Sequence, residues 1–266
     1  SHVPANELMQ PGDTWLGSPA INLPAREETG GFPEELTFRP SPLRRLGRGL
    51  VEALRIVTPH AVVIAVGYTV VLDLMPLAGA GNWWAVIWYL NVAGLLYGVG
   101  AFVLVALLKW LLIGRYGKAA RPMWTPFVWL SEGVTNLYEG ITVPNFMRYL
   151  RGTPWLPLAF NLLGSRMGRG VYLDTTDLTE FDCVHIGDHS ELNALTCPQT
   201  HLFEDRVMKI GHVRIGRQVT LGPRSSVLYG AEVGDNVSLG PLTLVMKGEC
   251  LPTNSRWHGC PAEPAT

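Results

Sequence analysis

The feature that most constrains the fold of this chain is a six-residue repeat towards its C-terminal end. An aliphatic residue recurs at positions 215, 221, 227, 233, 239, 245 and 251, and glycine follows it at 216, 222, 234 and 240. Strict recurrence of this kind predicts a parallel β-helix, in which each hexapeptide covers one face of a triangular prism and three make a coil. The aliphatic side chains point inward, and glycine allows the chain to turn at a corner. We therefore predict a left-handed parallel β-helix over residues 171–262.

The repeat also extends towards the N-terminus, but with one interruption. Ile186 and Leu192 are six residues apart, whereas Leu192 and Ile215 are 23 apart, which is not a multiple of six. The segment TCPQTHLFEDRVMKIGH between them is therefore predicted to leave the prism as an insertion. Active sites of such scaffolds are expected on protruding segments, because the rigid body of the protein positions them.

Two long apolar runs precede the repeat, from about residue 56 to 77 and from 83 to 113. Each exceeds the ~20 residues that cross ~30 Å of hydrocarbon. Basic residues flank both outer ends, so the positive-inside rule places these ends in the cytoplasm and the turn at 78–82 outside. We predict a transmembrane helix pair at residues 51–115 in the plasma membrane, with the soluble domain cytoplasmic. A buried helical hairpin in a soluble protein is the alternative.

The start of the chain resembles its end. Residues match at one offset of 242, where Glu7, Trp15, Gly17, Pro19 and Ala20 correspond to Glu249, Trp257, Gly259, Pro261 and Ala262. Either the polypeptide is cut from a tandem array, which we favour, or its first strand completes a neighbour's coil. Residues 1–20 are thus predicted to be the terminal coil of a preceding repeat. Residues 21–50 are predicted to be a linker whose prolines prevent regular structure, and residues 116–170 to be amphipathic connecting helices.

Charge and cysteine content argue against several classes of function. The formal net charge is −1, so no basic field favours a nucleic-acid partner. The four cysteines form no C-x-x-C pair, which indicates reduced thiols. The histidines and cysteines between residues 183 and 201 fit no compact zinc site, and no metal is expected.

The predicted insertion contains the best candidate for a catalytic residue. His201 is followed by Glu204, Asp205 and Arg206. An imidazole can take a proton near neutral pH when a carboxylate fixes its tautomer and orientation. A backbone N–H or Arg206 would stabilise the oxyanion formed during acyl transfer. The alternatives are a structural histidine that pins the loop, substrate contact without proton transfer, and an ordinary surface ion-pair cluster.

Three residues of the last coils are candidates for cofactor binding. Lys247, Arg256 and Trp257 carry the charges and the ring that phosphates or an adenine would need. Solvated edges of the β-helix are the alternative interpretation.

Three segments carry a resemblance to a known family: QTHLFEDRVMK, LYGAEVGDNVSLGPLTLVMKGE and the ending R-W-x-G-x-P-A. They resemble the membrane-bound C-terminal region of ε-poly-L-lysine synthetase and related single-module nonribosomal peptide synthetases. That family has adenylation and thiolation domains, then six transmembrane helices around three tandem acetyltransferase-like hexapeptide domains. The resemblance covers essentially the whole chain and implies that it is one such repeat.

The resemblance implies amide bond formation. An amino acid held as a thioester on the phosphopantetheine arm of a carrier domain would pass to a small amine or growing peptide. Sister repeat domains, forming a pseudo-trimer, and the lipid bilayer are the other implied partners. Two further interpretations remain open: a coenzyme A-dependent hexapeptide acetyltransferase, and a non-catalytic scaffold repeat.

Overall fold

The computed structural model describes residues 14–16, 21–23 and 31–265 of the chain. These residues fall into two units, Ser1–Pro33 and Glu34–Thr266, which are considered separately. In the first unit, Thr14–Leu16 pairs antiparallel with Ile21–Leu23. The rest of the predicted terminal coil, at residues 1–13 and 17–20, lies outside the described residues.

The second unit begins with two long helices. After a short 3₁₀ turn at Glu34–Leu36, α1 spans Pro42–Gly79 and α2 spans Trp83–Leu108, extended by a π-helical turn at Lys109–Ile113. No residue in the most apolar stretch of α1 is buried, and only 28% of the corresponding stretch of α2 is buried. Both helices are long and apolar enough to cross a membrane. The prediction of two long apolar helices is confirmed.

The start of α1 corrects the predicted linker, which was expected to continue to residue 50. Pro42 does not prevent helix formation, because it occupies the first turn, where its missing N–H is not needed and its fixed φ is already helical. Ser41 caps the helix by accepting a hydrogen bond from the Arg44 N–H at 3.4 Å. The cap and the proline together start the helix well before the predicted end of the linker.

The connecting region is more varied than the predicted set of amphipathic helices. It contains a strand, three α-helices, a π turn and a 3₁₀ turn, at Ala119–Pro122, α3 (Pro126–Leu137), Tyr138–Thr142, α4 (Val143–Asn145), Met147–Leu150 and α5 (Trp155–Leu163). Helix α5 ends at Gly164, whose φ of 114° is open to glycine but strained for other residues. At Arg166 the chain has already entered the β-helix, slightly before the predicted start at 171.

The C-terminal domain is a parallel β-helix with three sheets. The first sheet contains Arg166–Met167, Val184–Ile186, Val213–Ile215, Glu232–Val233 and Cys250–Leu251. The second contains Tyr172–Leu173, Glu191–Leu192, Thr220–Leu221, Ser238–Leu239 and Arg256–His258, with Glu263–Pro264 added antiparallel. The third contains Cys197–Gln199, Ser226–Leu228 and Leu244–Val245. Ile215 pairs with Val233 and Val233 with Leu251, so each coil consists of three hexapeptides, as the sequence predicted.

The repeated aliphatic residues form the core of the prism. All seven side chains of the series that begins at Ile215 are at most 4% exposed. Burying each contributes about 1.5–3 kcal/mol. At one corner the glycine is required by space, because a Cβ added to Gly222 would lie 2.6 Å from backbone atoms of Gly240 and Pro241. At another corner the left-handed conformation recurs once per coil, at Gln218, Asn236 and Asn254.

The insertion is a β-hairpin that protrudes from the prism. Its strands, His201–Glu204 and Val207–Ile210, pair antiparallel, and Ala119–Pro122 adds a third strand beside Val207–Ile210. Asp205 and Arg206 form the two-residue turn with φ of 50° and 59°, as a hairpin of this kind requires. The predicted insertion is confirmed, although it is shorter than expected because Cys197–Gln199 still belongs to the third sheet.

The last strands repeat the pairing seen at the start of the chain. Trp257 lies opposite Pro264, and Trp15 lies opposite Asn22. Trp15 and Trp257 are separated by 242 positions, and so are Asn22 and Pro264. This is the offset found in the sequence. The similarity of the two segments therefore includes their strand register, and the assignment of residues 1–20 to a preceding repeat stays a prediction.

Candidate active site

His201 lies at the base of the protruding hairpin and contacts a buried carboxylate. Its Nδ1 is 2.7 Å from Oε2 of Glu180, whose side chain is 1% exposed, against 20% for the histidine. Because a carboxylate accepts, Nδ1 carries a proton, and in the neutral imidazole Nε2 keeps its lone pair. The ring of Phe203 packs edge-on against the imidazole, with 5.6 Å between the two ring centroids. The histidine is thus fixed in the tautomer of a general base.

Glu180 is itself held firmly in place. It adopts a left-handed conformation, with φ of 39°, just before the 3₁₀ turn Phe181–Cys183. Its Oε2 also accepts hydrogen bonds from Oγ1 of Thr200 at 2.6 Å and from Oγ1 of Thr179 at 2.8 Å. Three donors therefore converge on one carboxylate oxygen. A non-glycine residue held in the left-handed region is strained, and such strain concentrates at functional sites.

The surroundings of His201 favour its charged form. Burial opposes that form, but the hydrogen bond and the charge of Glu180 outweigh burial and raise the pKa of His201. The charges of Glu132 and Glu139 act in the same direction. Burial, followed by the charges of Asp177 and Glu180, raises the pKa of Glu139 as well. A cluster of carboxylates therefore surrounds the imidazole.

A cavity of about 210 Å³ lies beside His201. It is lined by Arg55, Ser131, Glu132, Thr135, Asn136, Glu139, Glu180, His201, Phe203 and Met208. These residues come from α1, α3, the following π turn, the β-helix and the hairpin. The candidate site is therefore assembled where the long apolar helix α1 meets the C-terminal domain.

The other predicted catalytic residues lie elsewhere on the hairpin. Glu204 is an odd number of positions from His201 on one strand, so the two side chains project from opposite faces. Glu204 forms ion pairs with Lys209 at 2.7 Å and Lys247 at 3.0 Å. Asp205 and Arg206 form the tip, where the Arg206 guanidinium lies 5.7 Å from the Phe38 ring centroid. The structure does not bring these three residues to His201, and their catalytic roles stay predictions.

The predicted cofactor-binding residues do not converge on one place. Lys247 follows the last strand of the third sheet and is paired with Glu204. Arg256 and Trp257 lie on the second sheet, and Trp257 Nε1 donates to Ser255 Oγ at 2.8 Å. The role of all three in cofactor binding stays a prediction.

The thiols near the site are held in their protonated form. Burial, together with nearby carboxylates, raises the pKa of Cys183 to about 12 and that of Cys197 to about 11. Thiols with such pKa values are poor nucleophiles at neutral pH. Within the described residues, no group of three His, Cys, Asp or Glu side chains is placed to hold a metal ion.

A buried ion pair connects α2 to the turn that carries Glu180. Lys109, with a fully buried side chain, lies 2.6 Å from Oδ2 of Asp182, and its ammonium sits 3.4 Å from the Trp110 ring centroid. The same Asp182 oxygen accepts from the Tyr116 N–H at 3.1 Å. The π-helical turn at the end of α2 thus binds Asp182. This residue follows by two positions Glu180, whose carboxylate orients His201.

Glu180, Glu139 and Arg55 line the candidate site but were not singled out from the sequence. Arg55 was interpreted only as part of a basic flank of a membrane span. Glu180 precedes His201 by 21 residues, whereas Leu173 and Leu192, which pair between neighbouring coils, are 19 residues apart. The coil length alone would have pointed to Asp182 or Cys183, so the repeat does not single out Glu180.

The fold and site define a hexapeptide β-helix protein in which a histidine on a protruding hairpin pairs with a buried carboxylate of the β-helix, and which is joined to two long apolar helices. The chain is 56% identical over 264 residues to delta-poly-L-ornithine synthetase of Acinetobacter baumannii (strain AB307-0294). The alignment covers 99% of this chain and 20% of that protein, so the chain spans about a fifth of its relative's length. A relative among poly-amino-acid synthetases was predicted and is confirmed; the ε-poly-L-lysine synthetase family specifically stays a prediction.

Solved structures with a similar domain include two acetyltransferases. A hexapeptide-repeat acetyltransferase from Vibrio cholerae O1 biovar eltor, complexed with acetyl coenzyme A, is 17% identical, with a TM-score of 0.36. That alignment covers 39% of this chain and 60% of the other. A galactoside acetyltransferase in complex with coenzyme A is 21% identical, with a TM-score of 0.31, over 38% of this chain and 53% of the other. No protein-family model matches the chain.

Proposed function

We propose that this chain is part of a membrane-anchored, acyltransferase-like enzyme that forms amide bonds between an aminoacyl thioester and an amine. The observation that carries the proposal is the 2.7 Å hydrogen bond between His201 Nδ1 and Glu180 Oε2 beside a cavity. It leaves Nε2 as the acceptor for a proton. The similarity to a poly-amino-acid synthetase supplies the class of reaction, and ornithine is therefore the first amino acid to test.

The chemistry assigned to the chain's own residues is proton transfer. As the amine nitrogen attacks the thioester carbonyl, Nε2 of His201 removes its proton, and Glu180 stabilises the imidazolium that forms. When the C–S bond breaks, the imidazolium returns the proton to the leaving thiolate. One amide bond forms, one thioester bond breaks, and one thiol is released. No covalent enzyme intermediate is needed, which agrees with the protonated state of Cys183 and Cys197.

The donor in this proposal is an amino acid on the phosphopantetheine arm of a carrier domain, and its thioester supplies an activated carbonyl. Lys247 is paired with Glu204, and Arg256 and Trp257 lie on another sheet, so no step is assigned to them. The helix pair is proposed to cross the plasma membrane with both ends on the cytoplasmic side. The β-helix is proposed to be left-handed and to associate with sister repeats as a pseudo-trimer, because hexapeptide helices commonly work between neighbours.

The test is amide bond formation from an aminoacylated carrier domain supplied to the membrane protein. His201→Ala is expected to reduce turnover by ~10²–10⁴-fold, the usual contribution of a general base. Glu180→Gln is expected to reduce it less, since the histidine remains. Turnover that is unchanged in His201→Ala, with the fold retained, would contradict the proposal. A parallel assay with labelled acetyl coenzyme A and ornithine tests the acetyltransferase alternative.

A further inference from the structure

Several residues that line the cavity beside His201 have a buried polar atom without a hydrogen-bond partner in the described part of the protein. Arg55 Nε, Asn136 Oδ1 and Glu180 Oε1 are each buried, and none has a hydrogen-bond partner among the described residues. All three residues line this one cavity. A buried polar atom without a partner costs about 1–3 kcal/mol. Three such atoms on residues that line one cavity indicate a site built for a polar ligand.

The charges of these groups define the chemistry of that ligand. Glu180 Oε1 and Asn136 Oδ1 are acceptors and suit an ammonium group, whereas Arg55 Nε is a donor and suits a carboxylate. The Arg55 guanidinium is oriented by a 2.6 Å ion pair between its terminal nitrogen and Glu52, and its Nε is left without a hydrogen-bond partner within the described residues. Glu132 is already paired with Arg48 at 2.9 Å and is less available to a ligand.

We propose that this cavity is the acceptor pocket, and that it binds an amino acid or amino-acid-like chain end by its ammonium and its carboxylate, the carboxylate through Arg55 of α1. This inference rests on the proposed function, because it identifies the acceptor of that reaction. The volume of about 210 Å³ is below the range of drug-sized pockets and suits a single amino acid or the last unit of a polymer.

The position of Arg55 gives the first long helix a role in acceptor selection. Arg55 is followed directly by the exposed apolar side chains of Ile56 and Val57, so the cavity lies at the end of the apolar surface of α1. A residue of the proposed membrane helix thus contacts the acceptor, and His201 of the β-helix hairpin takes its proton. Arg55 is a specificity-determining residue in this arrangement, and the pocket is complete only when helix and hairpin are packed together.

The test compares binding of L-ornithine and L-ornithinamide, which lacks the carboxylate, to the full chain in detergent by isothermal titration calorimetry. The wild type is expected to bind ornithine about tenfold more tightly than the amide, a typical effect of one charge-assisted hydrogen bond. Arg55→Gln is expected to remove this difference by weakening ornithine only. Arg45→Gln, the same change at an exposed position of α1, is the matched control and should behave as wild type.

Equal binding of ornithine and its amide by the wild type, or no binding of either, would overturn the inference. Equal weakening of both ligands by Arg55→Gln would also overturn it, because it would indicate damage to the fold rather than loss of a carboxylate contact. Arg55→Lys, which keeps the charge, should retain part of the preference. Because binding is measured without turnover, these results decide the inference even if His201→Ala stays active and the proposed chemistry fails.

Discussion

His201 and Glu204 lie on the same strand of the hairpin but project from opposite faces of it. The carboxylate that contacts His201 is Glu180, at 2.7 Å, whereas Glu204 pairs with Lys209 and Lys247. One acidic residue therefore orients the candidate base, and the other fastens the hairpin to the β-helix. The two roles predict different consequences for the same chemical change, glutamate to glutamine.

Glu180→Gln is expected to move the acidic limb of the activity profile to lower pH. Glu180 raises the pKa of His201 in the folded chain, so the neutral base accumulates only at higher pH. Without that carboxylate the pKa falls and the base form appears at lower pH, while the maximum rate decreases because the imidazolium is less stable. Turnover measured from about pH 5 to 9 checks this. An acidic limb at the same pH in both proteins would contradict it.

Glu204→Gln is expected to lower stability at neutral pH by about 1–2 kcal/mol, with the loss disappearing in acid. Burial opposes the charge of Glu204, but the hydrogen bonds from Lys209 and Lys247 outweigh it and lower the pKa. Its contribution is present above the unfolded value of about 4.3 and is lost as pH falls through the folded-state pKa. Melting temperatures at pH 7 and in acid measure this. If turnover falls far more than stability, Glu204 has a catalytic role after all.

Lys109→Met is expected to destabilise the protein by about 3–5 kcal/mol, because it leaves the mostly buried Asp182 carboxylate without its cation. The pair also fixes the turn that carries Glu180, so turnover should fall in the molecules that remain folded. Lys118→Met, at an exposed lysine just beyond the helix, is the control and should change stability by less than about 0.5 kcal/mol. Thermal unfolding in detergent provides the measurement. Similar losses in both variants would argue against a specific role for the pair.

Two glycines at the same corner of successive coils should respond differently to alanine. A Cβ on Gly222 would meet backbone atoms at 2.6 Å, whereas the nearest atoms to a Cβ on Gly240 lie at 3.5 Å, an ordinary contact. Gly222→Ala is expected to cost about 2 kcal/mol or more, and Gly240→Ala less than about 0.5 kcal/mol. Equal effects in denaturant titrations would show that the corner adapts to a side chain.

The proposed membrane topology can be measured by thiol labelling. Cys250 and Cys260 are exposed on the β-helix and should react with an impermeant maleimide only after cell lysis. Ala80→Cys, in the turn between the long helices, should react on intact cells. The unsubstituted chain is the control for background labelling. Reaction of the native cysteines on intact cells would reverse the orientation, and a soluble chain would exclude membrane insertion.

The parts of the fold that depend on periodic burial could be predicted from the sequence. The aliphatic residue at every sixth position and the two long apolar runs each follow from one physical requirement repeated many times. The start of α1 was missed because Pro42 disrupts a helix interior but favours a first turn. Ser41 directly precedes Pro42 and caps the helix. This local sequence distinguishes a proline in a first turn from a proline in a helix interior.

The candidate site was only half predictable. His201 was found because an interruption of the repeat marks a protruding segment. Its partner Glu180 lies on a different coil, and its proximity arises from stacking and from an unusual left-handed backbone conformation. Arg55 reaches the cavity only because α1 packs against α3, and no local pattern specifies that packing. The sequence indicated Glu204 instead, because it follows His201 closely. Its side chain, however, projects from the opposite face of the strand.

The hairpin that carries His201 leaves the prism after Gln199 and returns at Val213, and the coils on either side still pair in register, Val184 with Val213 and Pro198 with Val227. The pairing of the stacked wall is therefore continuous across the point from which the hairpin projects. A replacement hairpin would have to keep the pairing with Ala119–Pro122 and the buried side chains of Met208 and Ile210, while the rest of its sequence could change. Grafting a foreign hairpin at this corner is accordingly the most direct route to altering the chemistry while retaining the anchor.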